Sequence, residues 1–213
     1  VVDCQPNNPY YNTGLILPDF AKRWVVSFKN NPSAILSNHQ TQLLEGALRH
    51  YQSDKQFHSS TFFSFYQELV NNKLKSLPFT PQLTRKWFIG HVLTELLIDR
   101  CIVRNFPEQA DDFYANLLAA DNKELNGLLS AYGVSDSGPF LEVFDHFRQV
   151  KYIYYYTDNN KFLYSLNRIM MRVGLPEMAP NDQQLMLEGI LELEQNVLPS
   201  GEQWLNELKN VFV

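Results

Sequence analysis

The chain has 213 residues, long enough for one substantial hydrophobic core, with 45% hydrophobic and 19% charged residues and a formal net charge of -5. That acidic balance argues against a general nucleic-acid binder, which neutralises phosphates with a basic surface. Cys4 and Cys101 are too few for a disulfide framework or a thiolate metal site and suit a reducing cytoplasm, while no apolar run reaches the ~20 residues of a membrane helix and no targeting segment opens the chain.

Residues 1–13 read as turn-rich and lead through Gly14-Leu15-Ile16-Leu17-Pro18-Asp19-Phe20 into a short helix over residues 21–28. Asp19, beside a helix start, reads equally as a cap and as a metal or substrate group. Asn30-Asn31-Pro32 breaks the chain. Ser37 or Asn38 then caps a helix running to about His58, and Ser59, Ser60 and Thr61 interrupt it before an amphipathic helix over residues 62–77. Thr80, with Pro81 at the first helical position, opens a long helix to about Asn105. Pro107 opens the next helix, and residues 122–132 form a short one stopped by Gly133.

After a loop, Phe140, Val143, Phe144, Phe147, Val150 and Tyr154 recur at helical spacing, which marks their aromatics as core or groove lining. Asp158 to Asn160 cap a helix to Arg172 that Gly174 and Pro176 end. Asn181 or Asp182 caps another, Pro199 stops it, and a short last helix ends at Phe212. Nine glycines are few for a sheet protein full of tight turns, and no strand pattern appears. The expectation is a single all-α domain spanning residues 1–213, a bundle of roughly eight to ten helices.

Two stretches carry the chemistry. In residues 43–60, His50, Asp54 and His58 recur every four residues; in residues 90–104, His91, Glu95 and Asp99 do the same among apolar neighbours. Each such step advances ~6 Å along a helix and drifts ~40° around it, so one ion takes neighbours and not a whole triplet. Imidazole and carboxylate without sulfur suit manganese, iron or zinc. The spacing therefore groups Asp19, His50, Asp54, His91 and Glu95 as metal ligands, with His58 and Asp99 as substrate contacts, partners of the ligands, or ligands of a second ion.

The structural alternatives are a solvated face, with Arg49 and Lys55 beside His50 and Asp54, and a core His91 bonded to Glu95. His39 and His146 read as surface or core residues. A metal site of this kind points to hydrolysis by a water made acidic near neutrality. No glycine-rich phosphate loop, GxSxG elbow or HExxH motif is present.

Gly14-Leu15-Ile16-Leu17-Pro18-Asp19-Phe20, Gly46-x3-His50-x3-Asp54, His91-Val92-Leu93, and Leu166-Asn167 with Arg172 together resemble the acyl carrier protein phosphodiesterase family, all-helical proteins distantly similar to HD-type metal phosphohydrolases. The resemblance is diffuse but spans most of the chain. It implies an HD-like helical fold and a metal ion, with manganese expected. It further implies hydrolysis of the phosphodiester that joins 4′-phosphopantetheine to a serine of acyl carrier protein. Matched by position, Asp19, His50, Asp54 and His91 would hold the metal and Arg172 would meet phosphate; the expected catalytic residues are Asp54, His58 and Arg172, His58 by its place in the spaced triplet and not by a family match.

Lys22, Arg23 and Arg168 are weaker phosphate candidates. The chain departs from the family's usual pattern at Tyr51, His58 and Gly90, where a basic residue and two acids are more common. Acyl carrier proteins are acidic, so docking calls for a basic rim, for which Arg100 with Arg104 and Arg168 with Arg172 are the spaced pairs. The competing readings are a related metal phosphohydrolase acting on a small phosphoester and a non-catalytic helical binding protein on the same scaffold.

Overall fold

Hydroxyl, carboxamide and carboxylate side chains start the helices by accepting the backbone N–H groups that a first turn leaves over. The computed structural model describes residues 4–196 and 198–212. In chain order these form α1 (Pro9–Gly14), α2 (Leu17–Ala21), α3 (Asn38–His58), α4 (Thr61–Ser76), α5 (Lys86–Asn105), α6 (Pro107–Ala119), α7 (Asn122–Ala131) and α8 (Gly138–Val150), then a 3-10 helix (Tyr152–Thr157), α9 (Asn159–Arg172), α10 (Pro180–Asn196) and α11 (Gly201–Val211). Among the described residues there is no strand. Nine of the helices have seven or more residues, in keeping with the all-α bundle of eight to ten.

Most starts are those the sequence announces. Ser37 Oγ accepts from Gln40 N at 3.2 Å while Gln40 Oε1 accepts from Ser37 N at 3.0 Å, a reciprocal box that opens α3. Ser60, Asp121, Asp158 and Ser200 cap α4, α7, α9 and α11.

Three expectations are corrected. Helix lies at Pro9–Gly14 and Leu17–Ala21 instead of residues 21–28, because Asn8 caps α1 and Pro18 sits in the first turn of α2. The backbone of Phe28 is then drawn off to side chains, its N–H donating to Tyr51 Oη at 3.3 Å and its carbonyl accepting from Tyr132 Oη at 3.0 Å. Thr80 does not open α5. Its N–H and hydroxyl both donate to the buried Asp182 carboxylate, at 2.9 and 2.5 Å, and α5 starts only after Arg85 at φ 51°. The aromatic run after Pro139 is broken at Lys151, φ 52°, beyond which the backbone tightens to a 3-10 turn.

The chain separates into two compact units: one takes the chain through Gln56 together with Glu108–Tyr152, the other Phe57–Pro107 together with everything from Ile153 onward. The division falls within α3, whose last residues, Phe57 and His58, count with the second unit.

In the first unit α1 and α3 meet backbone to backbone. A Cβ on Gly14 would lie 2.2 Å from the Leu43 carbonyl oxygen, and one on Gly46 would lie 2.1 Å from that of Tyr11. Only glycine allows that approach. The unit's aromatic core includes Phe20 set edge-on to Phe144 and Trp24 edge-on to Phe140.

In the second unit α5 is central, with α4, α9 and α11 packed against it and α10 against α4 and α9. Ile89, Leu93, Leu96, Leu97 and Val103 bury its length. Arg100, fully buried on the same helix, places Nε 2.8 Å from Glu194 Oε1 of α10, bonds Asn159, and lies over the Phe162 ring at 4.7 Å. Arg104 reaches the same Glu194 oxygen at 2.9 Å. Both arginines are thus committed within the fold, and Arg100 has no surface to lend to a basic rim.

Candidate metal centre

The second unit brings three metal-ligating side chains together. His58 is the last residue of α3. Ser60 holds the elbow that follows: its hydroxyl donates to the Phe57 carbonyl at 2.6 Å and accepts from Phe63 N at 3.0 Å, ending one helix and starting the next. His58 thereby lands edge-on against Phe63, ring centroids 4.6 Å apart, and stacks on His91 of α5 at 4.9 Å and 18°. Glu95 sits one turn beyond His91, so both point the same way from α5.

Glu95 Oε1 is 3.2 Å from His91 Nε2 and 3.4 Å from His58 Nε2. One ligand atom from each of the three residues falls within 4.8 Å of the others, and among the described residues this is the one such group of three or more. Ligands bonded at ~2.0–2.2 Å to a tetrahedral ion lie roughly 3.3–3.6 Å apart, so the two separations from Glu95 Oε1 approximate coordination edges. The three side chains are 29–39% exposed, so solvent reaches the cluster.

Two groups from α4 complete the surroundings. Gln67 Nε2 lies 2.8 Å from His91 Nδ1. Asn71, one turn further on, places Oδ1 2.0 Å from where a Cβ on Gly90 would be, so the position at which the resembled family more often carries an acid is filled from the neighbouring helix. Beginning at Ser60 and Thr61, a groove of about 580 Å³ runs between α4 and α11, floored by Phe62 and Phe65 and edged by Tyr66 and Glu207. Tyr66 donates to Glu207 Oε2 at 2.7 Å; burial and that carboxylate push the phenol well above its ordinary range, so it stays a donor.

No family model, curated protein or solved structure matches the chain.

The first unit holds the other expected ligands. His50 Nδ1 lies 2.8 Å from the Leu15 carbonyl oxygen, which only accepts, so the proton is on Nδ1 and the Nε2 lone pair faces outward. Asp19 Oδ2 is 4.0 Å from that Nε2; its side chain is 72% exposed and belongs to the first turn of α2 rather than to a cap. Asp54 is exposed on α3. The expected set thus draws on both units, with Asp19, His50 and Asp54 in the first and His91 and Glu95 in the second.

Of the remaining candidates, Lys22 and Arg23 are exposed just after α2, with Arg23 over the Trp24 ring at 5.7 Å, and Arg168 and Arg172 are exposed on α9. Tyr51 anchors residues 28 and 29, accepting from Phe28 N and carrying Lys29 Nζ over its ring at 4.6 Å. His39 stacks on Tyr10 at 4.0 Å, and His146 Nε2 meets Tyr152 Oη at 2.7 Å. Asp99, a further turn along α5, is half-buried, and burial pushes its carboxyl up to about 6. Gln67 was not foreseen: a single glutamine on an amphipathic helix carries no signal until its partner helix is known.

No helix among the described residues is long and apolar enough to cross a membrane.

Proposed function

We propose that His58, His91 and Glu95 bind a divalent cation and that the chain is a metal-dependent phosphodiesterase, with holo-acyl carrier protein as substrate and 4′-phosphopantetheine and apo-carrier as products. The observation that carries the cation site is one carboxylate oxygen held 3.2 and 3.4 Å from two imidazole nitrogens. Two histidines and one carboxylate leave coordination positions open, which is the usual composition of a catalytic rather than a structural site.

Bound there, a divalent ion supplies Lewis acidity and a water acidic near neutrality. His91 and Glu95 are preset by one turn of α5, and His58 is oriented by Phe63, so the protein fixes the ligand directions before the ion arrives. Manganese is the ion we favour from the family resemblance, with iron and zinc chemically admissible.

The carrier substrate rests on the same resemblance. The groove between α4 and α11, lined from Ser60 onward, is a proposed place for the substrate's arm. Arg168 and Arg172, exposed four residues apart on α9, are the basic pair proposed to meet an acidic carrier, with Arg172 the nearer match to a phosphate-binding role. Asp19, His50 and Asp54 are retained as proposed contributors to turnover, and Lys22 and Arg23 as weaker phosphate contacts.

Metal analysis of the purified protein, paired with mass spectrometry of holo-carrier incubated with it, tests the reading. A carrier mass loss equal to phosphopantetheine in the presence of manganese is the expected result. Cleavage of a generic phosphodiester with an inert carrier transfers the activity to a small-molecule substrate. Neither metal nor turnover leaves a scaffold in which Glu95 simply accepts hydrogen bonds from its neighbours.

A further inference from the structure

We infer that the Gln67 carboxamide selects the proton position on His91 and thereby decides whether Nε2 of that ring faces Glu95 as a donor or offers a lone pair to a cation. This inference rests on the cation site proposed above and concerns how that site is made ready.

Phe63, Gln67 and Asn71 follow one another at four-residue intervals along the stripe of α4 that faces α5. Phe63 sets its ring edge-on to His91 at 5.0 Å, Gln67 Nε2 is 2.8 Å from His91 Nδ1, and Asn71 fills the space beside Gly90. The imidazole is clamped in plane and position, so its remaining freedom is the placement of its proton.

A neutral imidazole carries one N–H and one lone pair. With the amide nitrogen of Gln67 donating to Nδ1, the ring proton is on Nε2, directed at Glu95 Oε1 3.2 Å away, and Nε2 has no electron pair to give. Turning the carboxamide by 180° presents Oε1 to Nδ1 instead. Nδ1 then donates, and Nε2 carries the lone pair that a cation needs. Nitrogen and oxygen of the amide are nearly the same size, so the exchange needs no backbone movement.

Among the described residues the contact with His91 is the only hydrogen bond of the Gln67 side chain, so no second hydrogen bond opposes its turn. A ligand histidine with its second nitrogen donating to a carbonyl or carboxylate is the common arrangement at metal sites, and losing that partner typically costs 10–100-fold in affinity. Glutamine is the side chain that can serve both proton states. Glutamate holds only the Nδ1–H form, and leucine holds neither.

The test is long-range ¹H–¹⁵N NMR of the histidine rings, with zinc as the diamagnetic probe, on wild type, Gln67→Glu and Gln67→Leu, together with calorimetric zinc titration of each. His91→Asn identifies the His91 signals. The expected result is an Nε2–H ring in zinc-free wild type that becomes Nδ1–H on zinc binding. Gln67→Glu should show Nδ1–H in both forms with affinity at or above wild type, and Gln67→Leu an affinity lower by ~10–100-fold. Zinc binding to His58 and His91 with the His91 proton unmoved in wild type, or with both variants binding as wild type does, overturns this inference and leaves the cation site standing. Failure of zinc to perturb either ring overturns both. The wild-type titration decides even if one variant does not fold.

Discussion

His50 and His91 each have Nδ1 held by a polar partner at 2.8 Å, yet the two partners differ in what they can do. The Leu15 carbonyl can only accept, so His50 is fixed with its proton on Nδ1 and a lone pair outward. The Gln67 carboxamide carries a donor at one end and an acceptor at the other, so it can face His91 with the ring proton on either nitrogen. The carboxylates differ as well: Asp19 stands 4.0 Å from His50 and is largely exposed, whereas Glu95 is within 3.4 Å of two rings and shares a helix with one of them. A histidine near an acid is thus a weak predictor by itself. The backbone or amide behind the ring and the burial of the acid decide what the pair can bind.

The largest expected effect comes from loosening the helix that carries His91 and Glu95. Arg100 is fully buried on α5, and removing its partner leaves an uncompensated charge, so Glu194→Ala should cost about 3–5 kcal/mol in chemical denaturation while Arg100→Met should be near neutral. Equal losses in the two variants would mean that Arg100 packs rather than pairs.

Next in size, Glu95→Ala removes the oxygen common to both imidazoles and should lower manganese affinity by more than ~100-fold, beyond what loss of an outer partner costs. Titration calorimetry reads this directly, with carrier turnover falling in parallel. Unchanged affinity would move the ion away from the second unit.

Asp99 tests whether α5 carries a further strained acid. Its folded-state carboxyl is raised to about 6 from an ordinary 3.8, so the folded chain holds that proton more tightly than the unfolded one. The resulting destabilisation is absent below about pH 4, grows as pH rises through 6, and is complete above it. Asp99→Asn should therefore be more stable at pH 7, by on the order of 2–3 kcal/mol, and lose that advantage toward pH 4. An advantage that does not depend on pH would contradict burial as the cause.

Smallest of all, Asp19→Asn keeps the shape of α2 and removes only an exposed charge 4.0 Å from His50. Exposed pairs contribute at most about 1 kcal/mol, so manganese affinity should change by no more than ~5-fold. A loss as large as that of Glu95→Ala would make the first unit's pair an equal holder of the ion.

Much of the fold was legible because helix ends are written locally. Ser37 with Gln40, Ser60, Asp158, and the glycines at 133 and 174, both at positive φ, mark boundaries within a few residues of where they fall. Thr80 was misread because its donors go to Asp182, a partner 102 residues away. Lys151 hid its break inside an aromatic run whose spacing continues across it.

The same contrast governs the site. His91 and Glu95 were visible as a spaced pair on one helix. The placement of His58 against them depends on the Ser60 elbow folding α4 back onto α5, and the role of Gln67 follows from that packing alone. Gly90, a departure from the resembled pattern, is explained by Asn71 pressed into the space a side chain would need.

The most direct test is anomalous diffraction at the manganese edge from crystals grown with that ion. A cation held by the second unit gives a peak ~2.0–2.3 Å from Nε2 of His58, Nε2 of His91 and a carboxylate oxygen of Glu95. A peak coordinated by none of these three, or no peak at saturating manganese, would contradict that placement.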